Sequence, residues 1–177
     1  GDAKIKTIFM QHIPEGATQR LLLEKGDIDI AREMTPTDIA GIEGNADLKV
    51  QGDVGGQVYY LALNQKKEEL ANPKVQEAMR WAIDYQGMTD SILKGQWVVH
   101  QTFLPQGFLG ALDENPYAQD LEKAKALMAE SGLTLPIEIG FTVRNNQERM
   151  DIATSIQNSL AQIGINLVLD VGDGAQG

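Results

Sequence analysis

The stretch NPKVQEAMRWAIDYQGM, residues 72–88, gathers a cation, an indole, a carboxylate and a phenol in Arg80, Trp81, Asp84 and Tyr85. Such a set could edge an acid–base site, provided the carboxylate is desolvated and faces a second titratable group. The sequence offers no such partner, and each side chain also has a framework role. On a helix, Val75, Ala78, Met79, Ala82 and Ile83 share one apolar face. Arg80 and Asp84, four residues apart, can then pair on the exposed side, a contact worth about 0.2–0.5 kcal/mol. Trp81 and Tyr85 form a second such pair. Asp84 therefore reads as scaffold.

Other candidate groups fare no better. GDIDIA sets Asp27 and Asp29 on one face of a strand, opposite Ile28 and Ile30. A divalent cation needs several oxygens converging from more than one element, and nothing nearby supplies them. His12 and His100 have no second ligand at zinc-type spacing. Gly52, Gly55 and Gly56 precede a strand-like run, whereas a phosphate cradle leads into a helix N-terminus, so a turn is expected there. No Gly-x-Ser-x-Gly elbow occurs. The C-terminal DVGDG lacks the spacing of an EF-hand. No catalytic residue, metal site or cofactor is expected.

Composition narrows the classes further. The 177 residues carry a net charge of −10, which disfavours nucleic acid and anionic membrane surfaces. There is no cysteine, so disulfides, thiolate chemistry and Cys-based zinc sites are excluded. A 42% hydrophobic content suits a packed domain. No apolar run approaches the roughly 20 residues of a membrane-spanning helix.

The elements that would hold these side chains follow a rhythm in which an amphipathic helix ends at glycine and an apolar strand follows. ATQRLLLEKG precedes DIDIA, DLEKAKALMAESG precedes LPIEIGFTV, and RMDIATSIQNSLAQIG precedes INLVLDV. Gly26, Gly132 and Gly164 sit where a left-handed cap is wanted. Met150, Ala153, Ile156, Leu160 and Ile163 form one helical stripe, and Leu121, Ala124, Leu127 and Met128 another. Asn72, with Pro73 behind it, and Asn146 are expected N-caps. Gly95 is the expected stop of the helix that begins at Asn72. A short helix opens at Thr35-Pro36. Strands are expected at IKTIFMQHI, DIDIA, VYYLALNQ, LPIEIGFTV and INLVLDV. LPQGFLGALDENPYAQD reads as a long surface loop. The class is α/β with a mixed sheet flanked by helices, and residues 172–177 form a flexible tail.

The ordered motifs carry a resemblance. YYLALNQKKEELANPKVQEAMRWAIDYQGMTDSILKGQ resembles the segment of ABC-transporter extracellular solute-binding proteins of the dipeptide/oligopeptide type. There a strand ending in Phe/Leu-Asn, here Leu63-Asn64, leads into a D-P-x-V-R-x-A helix that closes on A-I-D, here Asn72 to Asp84. LLLEKGDIDIA, AKALMAESG, IEIGFTV and IATSIQNSLAQIGINLVLDV are similar to further elements of that family, in the right order. Gln76 departs from the family's usual Arg.

The resemblance implies a periplasmic-binding-protein-like fold. Residues 1–171 would be one C-terminal-type lobe of a two-lobed, extracytoplasmic (periplasmic) protein that closes around a peptide or similar solute without catalysis. It implies a second lobe and an ABC permease in the membrane as partners. It places Arg144 where relatives carry an Arg for the solute's carboxylate, with Asn145, Asn64, Trp97, His100 and Phe103 as further ligand-binding candidates. The chain is too short for a whole member, and its start, without Met, reads as that of a mature or excised segment. A small α/β hydrolase or transferase, or a sensory module built on the same lobe, remain the rival readings.

Overall fold

The computed structural model describes residues 3–32, 34–52 and 55–172, so the expected tail lies almost wholly outside the described residues. The chain divides into two units, Gly1–Gln51 and Gly52–Gly177.

The first unit holds α1 (Gly16–Lys25) and α2 (Pro36–Ile42). α1 ends as expected at Gly26. There φ is 76° and two N–H groups, from Gly26 and Asp27, close onto Leu23 O at 3.1 Å and Leu22 O at 2.9 Å. Thr35 Oγ1 caps α2 by accepting from the Asp38 N–H at 3.2 Å. Gln19 spans the unit. Its amide donates to Ile13 O at 2.9 Å and accepts from the Arg32 N–H at 3.1 Å. The strands expected at IKTIFMQHI and DIDIA are not formed. A strand needs a ladder partner for its backbone, and among the described residues neither segment has one. Ile5, Ile8, Phe9 and Met10 stand in solvent, as do Asp27 and Asp29.

The second unit contains α3 (Glu68–Ala71), α4 (Pro73–Ala82), α5 (Tyr85–Asp90), α6 (Leu121–Glu130), β1 (Ile137–Arg144), α7 (Gln147–Ala161) and β2 (Ile165–Gly172). The class is α/β, as expected. The sheet is narrower than a mixed sheet, however. Among the described residues it is β1 and β2 alone, paired in parallel from Ile137 opposite Ile165 to Arg144 opposite Gly172. A parallel pair needs a crossover long enough to return the chain, and α7 supplies it. VYYLALNQ, like the two failed strands of the first unit, finds no ladder, although Leu61 and Leu63 pack on the core.

The expected stripes face inward. Ala153, Ile156, Leu160 and Ile163 from the α7 region, Ala124, Leu127 and Met128 from α6, and Val75, Ala78, Met79 and Ala82 from α4 are buried with Ile139, Ile165 and Leu167 of the sheet. Burying a side chain such as Met128 or Leu160 contributes about 1.5–3 kcal/mol. Gln76 is not idle. Its amide donates to Leu70 O at 2.8 Å and Gln65 Oε1 at 3.1 Å.

One expected helix is two. The helix beginning at Asn72 stops at Ala82, because Ile83 is extended (ψ 131°) and Asp84 caps a new helix, accepting from the Gly87 N–H at 2.8 Å. The carbonyls left over at the end of α4 are taken up from the end of the long loop. Asp120 N–H donates to Trp81 O at 2.7 Å, and Gln119 Nε2 to Ala82 O at 3.0 Å. The expected Arg80–Asp84 and Trp81–Tyr85 pairs are therefore replaced. Arg80 lies 5.8 Å from the Tyr117 ring centroid, and Trp81 meets Tyr117 edge-on at 5.2 Å and Lys123 at 3.5 Å.

Candidate functional site

In open α/β sheets, ligands bind outside the carboxyl ends of the strands. Here that edge is built by β1 running into α7. The ladder closes with the Asn145 N–H on Gly172 O at 3.1 Å. The chain then turns through Asn146, whose N–H returns to Arg144 O at 2.8 Å and whose Oδ1 caps α7 by accepting from the Arg149 N–H at 3.2 Å. This puts Arg144 and Asn145 at the edge, exposed, beside the positive end of a 15-residue helix. Among the described residues the Arg144 guanidinium has no ion-pair partner.

The first turn of α7 also holds Glu148, and two aromatic side chains converge on its carboxylate. Tyr59 O–H donates to Oε1 at 2.5 Å and Trp97 Nε1–H to Oε2 at 3.0 Å. The two rings lie 4.2 Å apart, tilted by 32°, and the Arg149 guanidinium sits 5.4 Å from the Tyr59 centroid. Burial raises the Tyr59 phenol above its ordinary pKa, and the hydrogen bond and charge of Glu148 push the same way; Arg149 opposes them. The phenol is thus held as a neutral donor.

The structure distributes the expected site residues unevenly. Trp97 joins the cluster with its ring also packed on the core. Arg144 and Asn145 lie at the strand end, four and three positions before Glu148. Asn64 instead closes a turn, its Oδ1 accepting from the Lys66 N–H at 3.1 Å. His100 is engaged within its own loop, where Nε2 lies 2.6 Å from Leu104 O and 2.9 Å from Thr102 Oγ1. A carbonyl only accepts, so Nε2 carries the proton. Phe103 is 95% exposed and touches none of these groups through a ring contact. Tyr59, Glu148 and Arg149 were not legible as a set, since Tyr59 and Glu148 are 89 residues apart in sequence. Gly56, in the expected turn, lies so close to Phe108 that a Cβ would come 2.7 Å from the ring. Two shallow depressions of about 480 and 490 Å³ lie elsewhere on this unit, and neither is lined by Arg144, Trp97 or Tyr59. Among the described residues no group of three or more His, Asp or Glu side chains is arranged to hold a metal.

The whole chain, residues 1–177, matches the family described as bacterial extracellular solute-binding proteins, family 5 Middle. The chain belongs to this family of solute-binding proteins. A probable D,D-dipeptide-binding periplasmic protein of Escherichia coli is 30% identical over 93% of the chain, and a dipeptide-binding protein of the same organism is 27% identical over 92%. The solved structure of an ABC transporter-associated periplasmic binding protein from Helicobacter pylori, in complex with the peptide STSA, matches 92% of the chain with a TM-score of 0.84 at 26% identity. A binding protein from A. tumefacien in complex with agropinic acid matches 91% with a TM-score of 0.76 at 27% identity. These family 5 relatives are named as binding proteins. The chain spans 32% of the first, 31% of the second, 32% of the third and 33% of the fourth.

Proposed function

We propose that residues 1–171 serve as one lobe of a two-lobed, extracytoplasmic binding protein that delivers peptides or peptide-like solutes to an ABC permease. The observation that carries this is Arg144. An exposed guanidinium without an ion-pair partner among the described residues stands at the carboxyl end of β1, beside the N-terminus of α7. A planar guanidinium takes a carboxylate through two parallel hydrogen bonds, and the helix end favours the same charge. Asn145 adds an amide, and Trp97 with Tyr59 an apolar wall. Asn64, His100 and Phe103 are weaker members, since two are engaged locally and the third stands apart.

A solute bridging this lobe and a second one favours the closed arrangement by its differential affinity for it. One lobe alone offers only part of the contacts, so its own affinity should be millimolar, about −4 kcal/mol. Backbone amide NMR with alanyl-alanine tests this. The Arg144 and Asn145 signals should shift without saturating below the millimolar range, and Arg144→Ala should abolish the response. Micromolar affinity by calorimetry, or no shift at either residue, overturns the reading.

A further inference from the structure

We propose that Glu148 is a positioning residue that fixes the Trp97 indole as a wall for an aromatic side chain of the solute. The inference rests on the proposed solute-binding role of the carboxyl edge and deepens it. Glu148 is the one carboxylate in the first turn of α7, and an acid beside a solute site would ordinarily be assigned to a solute cation. The geometry assigns it otherwise. Oε1 accepts from Tyr59 O–H and Oε2 from Trp97 Nε1–H, so each oxygen already has a donor.

What those bonds accomplish is a matter of where the donors come from. Trp97 opens the irregular stretch 97–120, and Tyr59 lies in the unladdered segment before Asn64. Neither sits on a helix or strand, so nothing in the backbone ladder fixes either ring. Glu148, on a helix capped by Asn146, is their rigid attachment point. The shared carboxylate meets two rings 4.2 Å apart and ties them to the helix that directly follows Arg144 and Asn145 in the chain. Charge-assisted hydrogen bonds of this kind are roughly twice as strong as neutral ones. A fixed indole loses little freedom when a second ring stacks on it, which is the benefit of holding it in advance.

Glu148→Leu is the discriminating variant. The aliphatic side chain has similar bulk but accepts no hydrogen bond, so both donors lose their partner. An amide would not do this, because it could accept from the indole while donating to the Tyr59 oxygen. The measurement follows the Trp97 indole N–H signal in a Trp81→Phe background, which leaves one indole in the chain. Alanyl-phenylalanine and alanyl-alanine serve as probes. In the parent background the Trp97 signal should shift with alanyl-phenylalanine, while Arg144 and Asn145 respond to both dipeptides. In Glu148→Leu the Trp97 signal should move to the position of a freely hydrated indole, quenching of its fluorescence by acrylamide should increase, and its response to alanyl-phenylalanine should be lost. The Arg144 response to alanyl-alanine should remain.

Trp97→Phe keeps a ring but removes the donor. In that background Glu148→Leu should have no further effect on the response to alanyl-phenylalanine. An unchanged Trp97 signal and unchanged quenching in Glu148→Leu overturn the proposal, as does an unaltered response to alanyl-phenylalanine. If neither dipeptide moves Arg144 in the parent background while Glu148→Leu still frees Trp97, the clamp stands and the solute reading fails.

Discussion

Asp84 Oδ1 accepts a hydrogen bond from the backbone N–H of Gly87 at 2.8 Å, and that bond divides what would otherwise be one helix into two. It settles the role of the carboxylate that looked most like chemistry in the sequence. The fit is close, since a Cβ on Gly87 would stand 2.1 Å from Asp84 Oδ2.

Asp84→Ala should therefore cost about 1 kcal/mol of stability, within the roughly 0.5–2 kcal/mol typical of a lost N-cap. Asp84→Asn should retain most of it. Gly87→Ala should be destabilising to a similar degree, because the methyl group displaces the capping carboxylate. Urea unfolding measures all three. Equal stability of the Ala and Asn variants at position 84 would remove the cap from the account.

The core of the second unit makes a sharper demand. Leu160, on α7, is fully buried in a core cluster that also takes in residues of α4, α6 and the sheet. Leu160→Ala should cost about 2–5 kcal/mol, the range for deleting a buried leucine. Val168, half exposed on β2, should tolerate Thr within about 0.5 kcal/mol. The contrast is read from the shift in urea midpoint at constant slope.

Alkaline titration should reveal Tyr85. Burial above all raises its phenol from 10.0 to about 12; the nearby Arg80 charge opposes this and Tyr117 adds to it. Below pH 10 the phenol is neutral in both folded and unfolded chains, and its contribution is complete. As pH rises from 10 towards about 12, the unfolded chain releases a proton that the folded chain keeps, so stability falls. Tyr85→Phe should make that decline shallower, though not flat, because Tyr59 is shifted in the same direction. A decline identical to that of the parent would show that Tyr85 ionises normally in the fold.

Arg144→Ala should leave stability within about 0.5 kcal/mol of the parent, as befits an exposed side chain. It should nonetheless remove the response to a dipeptide carboxylate. Arg144→Lys should restore only part of it, because an ammonium lacks the planar fork. A stability loss as large as that of a core variant would mark Arg144 as structural.

The local sequence determined the elements whose hydrogen bonds close within themselves or on an adjoining turn. The stripes of α6 and α7, the caps at Thr35, Asn72 and Asn146, and the left-handed glycines 26, 132 and 164 all depend on neighbours a few residues away. The two strands around α7 were equally legible, because their partner lies just across one crossover. The strands expected at 5–13, 27–31 and 58–65 were not formed, since alternation supplies a face but not the ladder that a strand requires.

The break at Ile83 was also hidden. A continuous helical stripe and a cap at Asp84 fit the same residues, and the contacts from Gln119 and Asp120 favoured the break. The candidate site shows the same division. Arg144, Asn145 and Trp97 were named from the sequence, but Glu148 gained its meaning only when Trp97, 51 residues away, and Tyr59, 89 residues away, reached its two oxygens. Local periodicity fixes which face of an element is apolar; only tertiary packing decides which distant donors will satisfy a given carboxylate.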